Sequence, residues 1–423
     1  MQTSDLLAPT PEQLAWQQAG LGVFFHIGVN TFAGVEWSDG TIPAEDFAPT
    51  ELDADEWVRT AKELGAAYVV LTAKHHDGFC LWPTATTAYS VASSRWRDGQ
   101  GDVVAEVAAA CRRHGLGLGL YLSPWDRNAE CYEDPAAYDA FYLAQLRELC
   151  TRYGELVELW FDGAGSAGRE YDWAAIGEVI DELQPGAMVF NMGPATIRWV
   201  GNEDGLAADP CEYVADSTAL NNYDDDVIGI GGRRYLPPEC DVSLRRGWFW
   251  QPGDAPKSLE HLLAIHDRSI GLGANLLLNI PPDRRGRIDP EDLARIRELR
   301  DALRVRFGAG RAAALSRTDG EVLAQLPASG WADHLELRED VTAGQRVRAH
   351  RILLPDGTVL AEGGTVGVRR IHRLAEAVEV ESLRLEVQGQ GAVIEAVIVH
   401  DATGAPTPAL PQDYRASTEE PGA

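Results

Sequence analysis

The chain has 423 residues and a formal net charge of −28. That length holds one large domain and a smaller one, and the 45% apolar and 24% charged residues are those of a globular protein. A chain this acidic repels phosphate backbones, which excludes nucleic acid as the expected partner.

The first three quarters alternate between apolar runs and helical patterns. GVFFHIGVN (22–30) reads as a buried strand. A helix from Asp53 leads to strand AAYVVLTAK (66–74), and helix DVVAEVAAACRRHG (102–115) to strand LGLGLYLS (116–123). A long helix near 135–153 precedes ELVELWFDG (155–163), and a helix over 171–184 precedes AMVFNMG (187–193). Shorter strands are expected at RWVGNE, CEYVAD and ECDVSL, then a helix near 257–270, strand NLLLNIPP (275–282) and a last helix over 290–305. Near-continuous apolar strands are those of a parallel sheet covered by helices. The expectation is an α/β fold: a (β/α)8-like TIM barrel over 1–308, imperfect in its later half. An open doubly wound sheet is the alternative, but the glycines of LGLGLYLS sit inside a strand and open no helix. After Gly308 short alternating runs split by DG, GG and AG turns predict an antiparallel β-sandwich over 309–402. Residues 403–423, rich in Pro, Ala and Glu, read as a flexible tail.

In a barrel the C-terminal strand ends converge on one face, where such enzymes keep their sites. Here those ends are polar and aromatic: His26; Lys74-His75-His76-Asp77; Tyr121 to Asp126; Trp160 to Gly163; Asn191; and Trp199, Asn202 and Glu203. Aromatic faces suit the C–H faces of sugars, and His, Asp, Glu and Asn suit hydroxyls, so a polyhydroxylated ligand fits this inventory. Glycoside hydrolysis needs two carboxyls flanking the anomeric carbon. Asp162, ending an apolar strand in LWFDGAG, suits the ionised nucleophile, although Asp-Gly is also a turn signal. Glu203 suits the proton donor, with Asp204, Glu212 and Glu239 as rivals. The His75-His76 pair admits a metal reading, but no H-E-x-x-H spacing is present and adjacent strand residues point to opposite faces. No metal and no cofactor are expected.

The segments FFHIGVNTFAGVEWSDG, KHHDGFCLW, YLSPWDRN, ELWFDGA, RWVGNEDG and NLLLNIPPDRRG, in that order, together resemble family 29 glycoside hydrolases, the retaining α-L-fucosidases. The resemblance implies Asp162 as nucleophile and His26, His75, His76, Glu36, Trp37 and Tyr121 as sugar-binding groups. Trp82 and Trp160 are expected to wall the pocket. The N-T-F…E-W-x-D-G, S-P-W-D-R-N and G-N-E patterns resemble the subgroup that favours α-1,3 and α-1,4 branches, which implies Glu203 as acid/base. The expected partner is then a fucosylated oligosaccharide or glycoconjugate glycan. Two other readings remain: a glycan-binding protein without turnover, and a barrel glycosidase for another sugar. The β-sandwich shows no sugar-contact pattern and is expected to be structural. No apolar run reaches the roughly 18–20 residues that span a bilayer, and the first residues lack a secretory pattern. None of the six cysteines forms a C-x-x-C pair. The expectation is a cytoplasmic chain, away from membranes.

Overall fold

A computed structural model describes residues 7–166, 168–219, 227–318 and 321–412. Eight parallel strands form the barrel sheet: β1 (Leu21–Phe25), β2 (Tyr68–Lys74), β3 (Gly117–Leu122), β4 (Glu158–Trp160), β5 (Met188–Phe190), β6 (Arg198–Trp199), β9 (Pro238–Ser243) and β10 (Asn275–Asn279). Their order is β5-β4-β3-β2-β1-β10-β9-β6. A parallel bridge between Phe190 and Ile197 lies at the remaining seam, so the barrel is nearly closed. Every residue of β2 and β10 is buried, as expected for strands covered on both faces.

Helices α1 (Pro11–Ala19), α2 (Val29–Ala33), α3 (Ala54–Leu64), α4 (Val103–His114), α5 (Pro135–Arg152), α6 (Trp173–Leu183), α7 (Leu259–Arg268) and α8 (Pro290–Phe307) supply the α-part of the fold. Their starts are written locally. Asp53, Asp102, Asp134 and Asp172 each accept a backbone N–H of the first turn. The expected imperfection falls in the second half. No helix follows β5, and a hairpin of β7 (Val214–Ala219) and β8 (Val227–Tyr235) replaces the helix between β6 and β9. Strand β8 escaped the sequence reading, as did α1, although Thr10 and Gln13 form a reciprocal capping box visible as T-P-E-Q.

The expected antiparallel β-structure occupies Arg311–His400: β11 (Arg311–Ala312), β12 (Ala314–Thr318), β13 (Glu321–Glu339), β14 (Ala349–Leu353), β15 (Val359–Gly363), β16 (Arg370–Gln388) and β17 (Ile394–His400). The long strands β13 and β16 pair along most of their length, so all seven share one hydrogen-bond network. Its own core gathers Ala324, Leu335, Leu337, Val380, Leu385 and Val397. Ion pairs and hydrogen bonds seat it on the barrel: Arg306 to His334, Arg370 to Asp209, and Gln345 to the backbone of Cys211 and Tyr213. Residues 413–423 of the expected tail lie outside the described residues. No helix among the described residues is long and apolar enough to cross a membrane.

Candidate active site

The strand ends meet at one cavity of about 610 Å³, lined by residues that all fall between Phe24 and Trp248. It gathers His26, Trp37, His75, His76, Tyr121, Trp160, Asp162 and Glu203 from the sequence reading. It also takes in Asn191 and Trp199 from the strand ends, together with Trp248, and adds Phe24 and Asp241. Tyr121 stacks on Trp160 at 5.3 Å, and Trp160 on Phe190 at 3.8 Å. These rings form a stiff apolar wall beside the polar groups.

Asp162 stands just beyond β4. Its Oδ2 accepts from the Tyr121 hydroxyl at 3.0 Å and its Oδ1 from the Ala164 N–H at 2.8 Å. The Asp-Gly turn is present, and it aims the carboxylate into the cavity. His76 Nε2 lies 3.6 Å from Asp162 Oδ2.

The hydrogen-bond partners fix two histidine tautomers. The single proton of Ser123 Oγ goes to the Trp125 carbonyl at 2.6 Å, so Oγ accepts from His76 Nδ1 at 2.7 Å. Asn279 spends its amide N–H groups on Ser243 Oγ and the Trp248 carbonyl, so its Oδ1 accepts from His26 Nδ1 at 2.9 Å. Burial lowers the pKa of His26 to about 3, against the opposing bond from Asn279, and also lowers that of His76. Both rings are thus neutral, with Nδ1 protonated and Nε2 an acceptor. Acceptors of this kind suit the O–H donors of a sugar. Burial, with His76 and His26 beside it, also pushes His75 well below its ordinary value, and its Nδ1 is 3.9 Å from Asp77 Oδ2.

Lys74 and Asp77 serve the scaffold. Lys74, fully buried, pairs with Asp126 at 2.8 Å, and Asp126 caps the turn after β3 through the N–H groups of Asn128 and Ala129. Asp77 accepts from Asn30 Nδ2 and the Phe79 N–H, and burial raises its pKa to about 6. Among the described residues no group of three or more His, Cys, Asp or Glu is placed to hold a metal ion. The paired histidines belong to the polar wall of the cavity.

One expected contact needs correction. Trp82 does not wall the cavity: it is fully buried in the barrel–helix core, with its indole N–H on Glu148 at 2.7 Å. The chain turns after Asp77, and the residue five positions on belongs to another layer. Glu36 sits behind the wall. Its carboxylate takes the Trp248 N–H at 2.7 Å and the Gln251 side chain at 2.7 Å, which holds the segment that carries Trp248. Any side chain at Gly247 would collide with that carboxylate. Asp241, missed in the sequence, lies on β9, whose inward positions Glu239, Asp241 and Ser243 alternate with apolar ones. That period of two was a legible sign of a polar inner face.

A near-closed parallel barrel whose C-terminal mouth joins carboxylates, hydroxyl acceptors and stacked aromatics has the build of a glycoside hydrolase. Similarity to known proteins narrows the class. The family described as Alpha-L-fucosidase matches residues 2–306. Alpha-L-fucosidase 1 of Arabidopsis thaliana is 38% identical over 90% of this chain and 84% of its own length. A glycoside hydrolase 29 family member from an unknown rumen bacterium superposes with a TM-score of 0.85 at 32% identity, over 96% of this chain and 79% of that one. A Ruminococcus gnavus GH29 fucosidase in complex with fucose gives 0.83 at 27% identity, over 94% and 96%. The chain belongs to the α-L-fucosidase family and is an α-L-fucosidase, a glycoside hydrolase acting on fucosylated glycans.

Proposed function

We propose that the enzyme cleaves α-L-fucosyl residues with retention, that Asp162 is its nucleophile and Glu203 its acid/base, and that α-1,3 and α-1,4 branches of fucosylated oligosaccharides are its substrates. The observation that carries this reading is the hold on Asp162. Tyr121 and Ala164 each give its carboxylate a hydrogen bond at the rim of the cavity that also contains Glu203. An Asp162 oxygen attacks the anomeric carbon, and the C–O bond to the leaving sugar breaks. Its electron pair stays on the glycosidic oxygen, which takes the Glu203 proton. The product of this step is a β-fucosyl ester. Glu203, now a carboxylate, takes a proton from water as that oxygen displaces Asp162, and fucose leaves with its original configuration. His26 and His76 accept fucose O–H groups through Nε2, Trp37 and Trp160 face the ring, and His75 completes the polar side.

The barrel, residues 1–308, is the catalytic unit on this reading, and the sheet over 309–402 supports it. The distribution of cavity residues between Phe24 and Trp248 favours that division. The branch preference rests on the N-T-F…E-W-x-D-G, S-P-W-D-R-N and G-N-E patterns alone. The test is a panel of fucosylated trisaccharides in 1,2, 1,3, 1,4 and 1,6 linkage with an aryl fucoside. Asp162→Gly with added azide should return β-fucosyl azide. Wild-type turnover by Asp162→Ala sinks the nucleophile assignment, and preference for 1,2 or 1,6 linkages sinks the specificity.

A further inference from the structure

The cavity contains a third carboxyl for which the two-carboxylate mechanism has no use. Asp241 is 3% exposed on β9 and lines the cavity with Asp162 and Glu203. Two contacts tie it to Glu203. The backbone of Asp204 bridges to Val242, which pins the turn carrying Glu203 to β9 next to Asp241. Gly205, at φ +72°, lies so close to Val242 that a Cβ there would be 2.8 Å from its methyl. Trp199, at the end of β6, donates its indole N–H to Asp241 Oδ1 at 2.6 Å. No hydrogen bond from Oδ2 to a described residue accompanies it.

Among the described residues, the charges that act on Asp241 are acidic. Glu203 faces Asp241 from the turn after β6 and Glu239 from β9 itself, Asp162 lines the same cavity just beyond β4, and the β10 neighbour of Asp241 is Leu277. No lysine or arginine among the described residues lines the cavity, and His26, His75 and His76 are neutral. Three ionised carboxyls in one largely buried space repel strongly, and the one furthest from water gives up its charge first. Asp162 is 26% exposed, against 3% for Asp241.

We propose that Asp241 works as a neutral carboxylic acid, accepting from Trp199 through Oδ1 and donating from Oδ2 to a substrate oxygen lodged beside the bond that Glu203 protonates. Burial, with Glu203 next to it, pushes this carboxyl well above the ordinary aspartate range. A protonated acid so held is a fixed donor in a dry site, complementary to the histidine acceptors opposite. The inference rests on the reading of Glu203 as the acid/base.

Asparagine reproduces the proposed state, with an oxygen for Trp199 and an N–H for the cavity, whereas alanine reproduces neither. On a fucosylated trisaccharide kcat/KM should fall about tenfold in Asp241→Ala, the range for an unmet buried partner, and Asp241→Asn should recover most of that loss. The infrared difference between wild type and Asp241→Asn at neutral pH should contain a protonated-carboxyl band. That band remains informative if the alanine variant does not fold. An asparagine variant as poor as alanine, an alanine variant as active as wild type, or a carboxylate band alone overturns the proposal. Glu203→Gln serves as the reference. If it keeps turnover on the trisaccharide, the acid/base reading fails, whatever Asp241 does. If it is inactive while Asp241→Ala is not, only the present inference fails.

Discussion

Acidic side chains are buried in the barrel and at the junction with the C-terminal sheet, and the two regions hold them with different chemistry. For three acids inside the barrel the partners are aromatic donors. Glu158 accepts from Trp16, Glu239 from Tyr68 and Trp160, and Asp241 from Trp199. Burial raises the pKa of both Glu158 and Glu239, and the charge of Glu239 raises Glu158 further, whereas the hydrogen bonds of Tyr68, Trp160 and Glu158 oppose the rise of Glu239. At the junction the partners are cations. Burial alone would raise Glu336, but His400, Arg369 and Arg338 outweigh it and hold its pKa at about 2. The more open Asp209 is also lowered by its paired Arg370. Aromatic N–H and O–H groups satisfy a carboxyl without fixing its charge, so protons stay available where acid–base work is done. Arginine fixes the charge and makes a strut.

The comparison breaks most sharply by exchange of function for stability. Asp162→Ala should reduce turnover by more than about a thousandfold with an unchanged melting temperature, since the lost group acts on substrate and is partly open to water. Parallel melting and activity curves check this. Arg306→Met should do the reverse. Arg306 is 1% exposed and bound to Asp267 and His334, so its loss should cost about 3 kcal/mol in a denaturant titration, with specific activity retained. Trp82→Phe should cost about 1–2 kcal/mol, the order of a lost buried hydrogen bond and ring volume, and leave KM unmoved. A raised KM would return Trp82 to the sugar site.

The smallest effect is in pH, where the two regions should respond with opposite sign. Glu158 and Glu239 bind protons more tightly folded than unfolded. Their contribution is present below the ordinary carboxyl value of about 4.3 and is lost as the pH rises above it. Glu158→Gln should therefore flatten the alkaline fall of the melting temperature. Glu336 is depressed, so its contribution is present above the ordinary value and lost as the pH falls toward about 2. Glu336→Gln should flatten the acid side. Scanning calorimetry across pH on both variants checks the pair, and slopes of the same sign would dissolve the distinction.

Much of the site was legible because barrel strands are local objects. Apolar runs of period two or less, helix caps at Asp53, Asp102, Asp134 and Asp172, and polar residues at each strand end can all be read along the chain. They placed His26, His75, His76, Tyr121 and Asp162 on one face before any contact was known. Trp82 misled because its neighbours in sequence line the cavity, while the turn after Asp77 carries it into the core.

The sequence by itself determined which residue types stand at the strand ends, because strand periodicity and capping depend on neighbours a few positions apart. Only the tertiary structure decided what those residues are. The tautomers of His26 and His76 depend on Asn279 and Ser123, 253 and 47 positions away. The adjacency of Asp241 to Glu203 depends on the pairing of β6 with β9 across the hairpin between them. Protonation follows burial and charge in space, and a strand's distant partner sets both.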